Sequence, residues 1–420
     1  MVHFGPFRGV RYADAAGLAA LTAPPYDAID PALSRRLHAR SPHNVVRLER
    51  AEPRPGDPRG DDRYARAAVT YAAWTAEGVL RRDPEPALYL YEQRYRHAGR
   101  SGTQRGVLAA LRLVPWTAGE VLPHERVFRG PVEDRLRLLT ALPVNTSPVY
   151  VLARGEPAAV VDLFREVSRG PPAAAFTDAE DQVEHRLWVV AASAAVGAVT
   201  ATFEGVQVVM ADGHHRYSTA LEHHAARPSA GSDRILAYVV GVGGADGSLR
   251  GPVVRPMHRL VRRLPGDADE RLRAVGVDVQ PVQGGVAAIV EALRGVPSTI
   301  FGCVSRRGAA MLAVDPLVAA ELVADSVHPE VADLDVAVVQ AVLSGVLGVA
   351  DDPGALVYTP DVAQAAEEVG AGRADALFVL RPPSLERVLS SAAAGALMPP
   401  KSTSFFPKPR TGLVLRPLQG

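Results

Sequence analysis

The residues best suited to chemistry lie between Val206 and His224, where a strand pattern gives way to a helix pattern. The apolar, largely β-branched run 206–210 predicts a buried strand, and residues with helical spacing from Tyr217 onward predict a helix. Between them stands the sequence Asp212-Gly213-His214-His215-Arg216. These side chains should therefore meet at the point where the strand ends and the first helical turn begins.

This junction has the chemistry of an anion site. Gly213 permits a tight turn and a close approach of the backbone, and a helix start presents N–H groups and the positive end of the dipole. Arg216 offers a fork that matches phosphate oxygens, and His214 and His215 add donors. We therefore predict that Gly213, His214, His215 and Arg216 bind phosphate and that Asp212 is catalytic and holds Mg²⁺ through its carboxylate oxygens.

A plainer interpretation of the same residues stays open. Asp212 would cap the helix, Arg216 would pair with it, and the histidines would be ordinary polar surface. The concentration of titratable groups around a glycine at a strand end favours a site over this alternative.

Length and composition limit the classes of protein to consider. A chain of 420 residues is long enough for two domains. Its 46 basic and 46 acidic residues give no net charge, so nucleic acid and anionic membranes are unlikely partners and phosphate binding must be local. The single cysteine, Cys303, excludes an intramolecular disulfide and a cysteine-based metal site. Because no membrane-spanning run or signal pattern is present, a cytoplasmic location is expected.

Lysine and asparagine are almost eliminated from the sequence. Lysine occurs only at Lys401 and Lys408, and asparagine only at Asn44 and Asn145. The two lysines and the two asparagines are therefore candidates for positions that arginine or aspartate could not fill. The alternative is that they remain by chance.

Helix and strand patterns alternate along the chain and predict an α/β protein. We place a boundary near residue 265, giving regions 1–265 and 266–420. The predicted helices are Pro31–Arg40, 62–78 and Pro157–Val167. The predicted strands are Ser41–Leu48, 88–95, 104–113, Val149–Leu152, one within 176–190, Arg234–Gly241 and Val253–Leu260, with 88–95 and 104–113 forming a hairpin.

Two further stretches carry candidate residues. His124-Glu125 begins like a zinc-protease motif, but Phe128 stands where the second histidine belongs, so that interpretation fails. The alternative to a functional role is a solvated His–Glu pair.

The tail 395–403 nearly forms a phosphate loop, but Pro400 replaces its second glycine and lacks an N–H donor. Lys401 and Lys408 can still direct positive charge at an anion, unless the tail is only a basic surface.

Taken together, these stretches resemble a bacterial and archaeal family catalogued as a domain of unknown function, often labelled ParB-like and linked to free-serine kinases. The matching pieces are 24–27, 44–48, 88–93, 124–125, 134–135, 145–148, 211–217, 255–259 and 398–412. The Asp-Gly-His-His-Arg piece is also similar to the phosphate-binding turn of the ParB, sulfiredoxin and serine-kinase superfamily. That resemblance implies a ParB/sulfiredoxin-like phosphate-binding core with a mixed sheet, elaborated by a second α/β region.

The resemblance implies a small-molecule kinase that transfers phosphate from a nucleotide or diphosphate to a free amino-acid hydroxyl, with L-serine as the leading acceptor. A non-catalytic nucleotide-binding regulator and a phosphohydrolase are the alternatives. A sulfiredoxin role is disfavoured because His214 stands where that turn needs cysteine. Glu125 would act as the general base, and His214 would also be catalytic. The residues expected to bind phosphate are Arg255, His258, Lys401 and Lys408. The residues expected to bind the substrate are Tyr26, Asn44, His124 and Asn145.

Overall fold

The computed structural model describes residues 2–52, 62–191, 193–243, 249–296, 299–323, 327–352 and 354–419. The helices, numbered along the chain, are α1 (Leu18–Leu21), α2 (Pro31–Arg40), α3 (Val46–Glu49), α4 (Asp62–Ala76), α5 (Arg129–Ala141), α6 (Ala158–Val167), α7 (Ala194–Thr202), α8 (His214–Ala226), α9 (Ala268–Ala274), α10 (Gly285–Ala292), α11 (Pro316–Val323), α12 (Asp335–Ala341), α13 (Val362–Gly370) and α14 (Leu385–Ala393).

The strands are β1 (Phe4–Gly5), β2 (Val10–Tyr12), β3 (Leu80–Arg82), β4 (Ala87–His97), β5 (Arg100–Arg112), β6 (Val121–Leu122), β7 (Val144–Asn145), β8 (Val149–Arg154), β9 (Ala174–Thr177), β10 (Glu184–Ala191), β11 (Val208–Asp212), β12 (Arg234–Val242), β13 (Leu249–Arg250), β14 (Val253–Arg255), β15 (His258–Val261), β16 (Val277–Val282), β17 (Ile300–Ser305), β18 (Gly308–Val314), β19 (Leu356–Thr359), β20 (Ala376–Val379), β21 (Ser404–Phe406) and β22 (Arg416–Pro417). The protein is thus mixed α/β.

Packing divides the chain into two units. The first unit comprises Met1–Leu122, Val127–Val253 and Pro407–Gly420, and the second comprises Pro123–Arg126 and Val254–Phe406. The division falls before the boundary predicted near residue 265, and it returns the end of the chain to the first unit. Which region performs catalysis stays a prediction.

The first unit is built on one large mixed sheet. Its main strand order is β6-β11-β8-β12-β5-β4-β10-β9, and β1 and β13 also pair with β5. The pairs β6–β11 and β8–β12 are parallel, whereas β8–β11 and β5–β12 are antiparallel. This order places β11, which carries the predicted turn, between β6 and β8.

Alternation along the strands gives this sheet two different faces. On one face, residues such as Leu90, Val107 and Val151 form an apolar core with the buried sides of α6, α7 and α8. The other face carries buried polar side chains, including Gln93, Gln104, Tyr91, Tyr150 and Tyr238. Tyr150 donates a hydrogen bond to Gln104 Oε1 at 2.5 Å, so this polar face is internally bonded.

The end of the chain is built into the polar face of the first unit. The side-chain amides of Gln93 and Gln104 donate to the carbonyls of Lys408 and Pro407 at 2.9 and 3.4 Å. Further on, β22 pairs with β7, and Thr411 exchanges backbone hydrogen bonds with Ala23. These bonds give Lys408 a defined position.

The second unit has an antiparallel sheet in the order β16-β18-β17-β20-β15-β19. Apolar clusters include Phe301 and Phe378 in one group, and Leu260 and Leu377 in the other. Because residues of the same strands alternate between these clusters, the sheet is buried on both faces.

Most predicted elements are confirmed, including the helix 31–40 and the strand predicted from the run 206–210, which the structure shows as Val208–Asp212. The predicted hairpin is confirmed, with strands that continue to His97 and Arg100 because Ala98 and Gly99 both adopt positive φ. None of the helices in the described ranges is long and apolar enough to cross a membrane.

Two strand predictions are wrong. The stretch Ser41–Leu48 enters helix α3, because Asn44 Oδ1 accepts the Val46 N–H at 2.9 Å and starts a helical turn. The stretch Val253–Leu260 forms two strands, β14 and β15, with Pro256 between them. Proline cannot donate to a strand ladder, so it breaks the predicted strand.

Candidate functional site

The predicted turn forms at the end of β11. Gly213 has φ +94° and is the N-cap residue of α8, without a side-chain cap. A Cβ at this position would lie 3.0 Å from Val149 Cγ1 and 3.1 Å from Val149 Cα. Both the backbone conformation and the space therefore require glycine here.

The Asp212 carboxylate is bound between two cations. Its Oδ2 lies 2.5 Å from Arg216 Nη2, and its Oδ1 lies 2.6 Å from Lys408 Nζ. The Asp212 and Arg216 side chains are only 10% and 8% exposed, so this is a largely desolvated group. The arrangement unites the predicted turn with one of the two lysines of the chain.

Asp27 joins this group through Lys408. The Lys408 ammonium lies 3.7 Å from Asp27 Oδ2, and its side chain is 23% exposed. Burial by itself lowers the pKa of Lys408, but the Asp212 and Asp27 carboxylates outweigh burial and raise this pKa above its ordinary value. We call Asp27, Asp212, Arg216 and Lys408 the Asp212 cluster; it contains two negative and two positive side chains.

Arg216 is held from a second side. Its Nη1 donates to Ser147 Oγ at 2.6 Å and to the Pro148 carbonyl, at the start of β8. Its Nε is buried and has no hydrogen-bond partner among the described residues. Arg216 also lines a small cavity of about 50 Å³ together with Thr146 and Ser147. A buried guanidinium N–H without an acceptor is costly, so it needs an explanation such as a bound water or ligand.

The two histidines of the turn are packed into their surroundings. His214 is 4% exposed, and its ring stacks on Trp116 at a centroid distance of 6.3 Å. His215 Nε2 accepts the Phe128 N–H at 3.0 Å, so this nitrogen carries no proton in the observed arrangement. His215 thereby holds the chain just after the segment Pro123–Arg126.

A larger cavity adjoins the Asp212 cluster through Asp27. Its volume is about 380 Å³, within the usual range for small-molecule sites. The predicted substrate residue Tyr26 lies in its wall, under the Arg135 guanidinium at 4.4 Å from the ring centroid. The remaining lining residues are Leu48, Glu49, Arg50, Ala51, Arg63, Tyr64, Gly130, Pro131, Asp134 and Leu138.

Both asparagines hold the fold of the first unit together. Asn44 is fully buried and donates to the carbonyls of Ala20 and Thr22. Asn145 Oδ1 accepts from the Leu236 N–H at 3.0 Å and from Arg416 Nη1 at 3.3 Å. These bonds give both asparagines a structural role, and their predicted roles on the substrate stay predictions.

One turn of the second unit contains three of the predicted site residues, namely His124, Glu125 and Lys401. Glu125 Oε2 accepts the Ser402 N–H at 3.2 Å, and His124 Nε2 lies 2.8 Å from Thr403 Oγ1. Lys401 adopts φ +57°, which is rare for a residue with a side chain. The predicted base is thus oriented by the same tail segment that carries one of the predicted lysines.

Arg255 and His258 also belong to the second unit. Arg255 lies over the Phe406 ring at 5.1 Å, and His258 Nδ1 accepts the Leu380 N–H at 3.1 Å. Burial, reinforced by the neighbouring arginines, lowers the pKa of His258 to about 4, so its imidazole is neutral at pH 7. The phosphate-binding roles of both residues stay predictions.

Sequence reasoning did not identify Asp27, Ser147, Arg50 or Arg63 as site residues. A signal existed for Asp27, since it follows the candidate Tyr26 in the Pro24-Pro25 turn. For the two arginines no signal was available, because arginine is abundant throughout this chain.

Comparisons with known proteins identify the family but not the activity. A search among curated proteins finds no match. Among solved structures, the chain is similar to a free serine kinase in complex with AMP (TM-score 0.37, 15% identity, 68% of this chain and 83% of the other). It is also similar to a conserved hypothetical protein from Pyrococcus furiosus (0.36, 15%, 68% and 87%) and to C-terminally truncated SbnI from Staphylococcus aureus (0.38, 12%, 73% and 87%).

Structural similarities with TM-scores this low support no conclusion about this chain. The family comparison does support one, because the family model "Protein of unknown function (DUF1015)" matches residues 4–337, well over half of the sequence. The protein therefore belongs to the DUF1015 family.

Proposed function

We propose that the protein is a phosphotransferase that moves a phosphoryl group from a nucleotide or inorganic diphosphate to the hydroxyl of a free amino acid, with L-serine as the first acceptor to test. The observation that carries this proposal is the Asp212 cluster, in which Arg216 and Lys408 converge on one carboxylate at the end of β11. Phosphoryl transfer requires mainly positioning and charge stabilisation from the protein, and this cluster can supply both.

The phosphate would bind at the turn that begins α8. Glycine as N-cap leaves the helix start without a side-chain cap, so an anion can take that role. Arg216 and Lys408 provide fixed positive charge, and His214 and His215 lie in the same first turn. The strand–glycine–helix arrangement also supports our proposal of a ParB/sulfiredoxin-like core in the first unit.

Charge balance favours a donor that arrives with magnesium. The Asp212 cluster is neutral, so a phosphate entering alone would add uncompensated negative charge to a partly buried place. In the described residues, no three His, Cys, Asp or Glu side chains come together as a metal site. Magnesium carried by donor phosphates needs only one or two protein carboxylates, and Asp212 and Asp27 are our candidates; at Asp212 the ion would replace the Lys408 ammonium, which would then bind the donor phosphates. The ion would neutralise the transferring phosphate.

In the proposed reaction the acceptor hydroxyl oxygen forms a bond to the terminal phosphorus of the donor, and the bond from that phosphorus to the bridging oxygen breaks. The hydroxyl proton passes to a general base, for which Glu125 is our candidate. Its Oε2 accepts a hydrogen bond from the Ser402 N–H, and its Oε1 would accept the hydroxyl proton. The products are the phosphorylated amino acid and the shortened donor.

The direct test incubates purified protein and magnesium with L-serine and, separately, ATP, ADP or diphosphate, and measures O-phosphoserine. We expect product with at least one donor. A folded protein that forms none with any donor would disprove the kinase proposal. Phosphate release that does not depend on serine would instead identify a phosphohydrolase.

A non-catalytic nucleotide-binding regulator is the second candidate. It is favoured by one observation, namely that both Asp212 oxygens already bind cations, so the turn is internally neutralised without a ligand. Nucleotide that raises the melting temperature without any product would favour this function.

A further inference from the structure

We infer that the 380 Å³ cavity beside Asp27 is an amino-acid site in which Arg50 and Arg63 bind the α-carboxylate of the acceptor. The inference rests on the proposed function and adds the substrate class and the residues that recognise it. The cavity adjoins the Asp212 cluster because Asp27 belongs to both. An acceptor held there would therefore lie next to the proposed phosphate site.

Arg50 is the first reason to expect a negatively charged ligand. Its Nη1 donates to the carbonyls of Tyr26 and Ile29, and no carboxylate pairs with it among the described residues. Neutral carbonyls hold the guanidinium in place without cancelling its charge. The cavity wall therefore contains a positioned cation whose other nitrogen donors remain for a ligand.

Arg63 is the second reason. Its Nη2 donates to Tyr64 Oη at 2.6 Å and to Asp134 Oδ1 at 2.5 Å. Its Nε is buried and has no acceptor within the ranges that the structure describes. The side chain is thus fixed by neighbours while part of its hydrogen-bonding capacity is unused.

Three other charged residues of the wall, Glu49, Asp134 and Arg135, are already paired and act as its frame. Arg135 donates to Asp134 Oδ2 and to Glu49, and Asp134 Oδ1 accepts from Tyr64 at 2.6 Å. Despite burial, the adjacent arginines and these hydrogen bonds lower the pKa of Asp134, so it stays a carboxylate. Arg63 shares Asp134 with Arg135, so Arg63 contributes its unused donor, and Arg50 contributes a guanidinium with no carboxylate partner among the described residues.

The cavity wall also contains groups that match the rest of an amino acid. Asp27 provides a carboxylate, which can face an α-ammonium group, and Tyr26 adds an aromatic surface. A ligand with a carboxylate and an ammonium group is therefore complementary to the arginines and to Asp27. The same arginines would also bind a phosphate of the donor, so the experiment must separate these two anions.

The test measures binding by calorimetry with the full chain and four probes: L-serine, L-serinamide, which lacks the carboxylate, N-acetyl-L-serine, which lacks the ammonium group, and inorganic diphosphate. Arg63→Gln and Arg50→Lys are compared with the wild type. Arg165→Gln is the control, because Arg165 is 66% exposed on α6 and its ion-pair partner among the described residues is Asp162. Thermal unfolding of every variant identifies any that fails to fold, and Arg50→Lys keeps the charge that contacts the Tyr26 carbonyl.

We expect L-serine to bind the wild type and Arg165→Gln equally and to lose roughly ten- to one-hundred-fold in affinity in folded Arg63→Gln. Serinamide should bind the wild type with a similar loss, and Arg63→Gln should not weaken it further. The inference is overturned if serine binds folded Arg63→Gln as tightly as the wild type. It is also overturned if only diphosphate binding responds, since the arginines would then hold the donor.

Turnover separates this inference from the proposed function. In folded Arg63→Gln, KM for serine should rise with kcat nearly unchanged, because the carboxylate contact is made before and during transfer. Product formation with an unchanged KM would contradict the cavity assignment and would still support the kinase proposal. Carboxylate-dependent serine binding without product from any donor would support the cavity assignment and contradict the kinase proposal.

Discussion

Lys408 and Asp212 form a 2.6 Å ion pair across 196 residues of sequence. The pair depends on the tail that follows Pro407, whose backbone carbonyls are bound by Gln93 and Gln104 on the polar face of the large sheet. The Asp212 cluster is therefore completed by the last part of the chain, and removing its ammonium group should affect both stability and activity.

Replacing Lys408 by methionine keeps a long side chain but leaves Asp212 and Asp27 with less compensation. We expect roughly 2–4 kcal/mol loss in the free energy of unfolding, discounted because the side chain is partly exposed. Phosphoryl transfer should fall by about 10²-fold or more. Chemical denaturation and the O-phosphoserine assay measure the two effects. The matched control is Lys408→Arg, which keeps the charge; methionine behaving like wild type would contradict the role of this ion pair.

Replacing Gly213 by alanine tests the turn itself. Alanine would have to adopt φ +94° with its Cβ 3.0 Å from Val149 Cγ1, so we expect a loss of at least 1–2 kcal/mol in stability. Gly197→Ala is the control, since Gly197 lies inside α7 with nothing within 4 Å of its built Cβ. That change should be neutral or stabilising by about 0.5–1 kcal/mol. Equal melting temperatures for the two variants would rule out the strained turn.

Replacing Glu125 by glutamine removes the proposed base while keeping an acceptor for the Ser402 N–H. We expect kcat to fall by about 10²–10⁴-fold with little change in melting temperature. Lys401→Gly is a companion variant, because glycine accepts φ +57° without strain and should preserve the turn. Full activity in the glutamine variant would remove Glu125 from the mechanism.

The buried His258 should make stability depend on pH. Its pKa in the folded protein is lowered to about 4 from the ordinary histidine value of 6.5, mainly by burial. The unfolded chain therefore binds a proton as the pH falls below 6.5 while the folded protein does not, so stability is lost between pH 6.5 and 4. The full effect is at most about 3 kcal/mol.

His258→Gln is the variant that checks this pH dependence. Its amide oxygen can still accept the Leu380 N–H, and it does not titrate. The difference in unfolding free energy between wild type and variant should therefore shift against the wild type as the pH falls from 7 to 4.5. A constant difference over that interval would contradict a neutral, buried His258.

Some of the candidate site followed from local sequence. The strand predicted from the run 206–210 is confirmed as β11, which continues to Asp212, and the positive φ at Gly213 and the helix from His214 are confirmed as well; each depends on side-chain period or on the conformational freedom of one residue. The strand predicted for Ser41–Leu48 is wrong because the Asn44 side chain accepts a backbone hydrogen bond that starts a helical turn. That bond joins residues only two apart, but the apolar, β-branched pattern does not register it.

The sequence by itself determined the turn, the mixed α/β class and the short list of cationic residues, because these depend on near neighbours in the chain. Only the tertiary structure decided that Lys408 pairs with Asp212 while Lys401 belongs to the second unit. It also decided that Asn44 and Asn145 hold backbone groups and that Asp27 lines a cavity. The physical reason is that sheet order and the path of the tail bring together groups far apart in sequence, and no local pattern records which distant partner will be chosen.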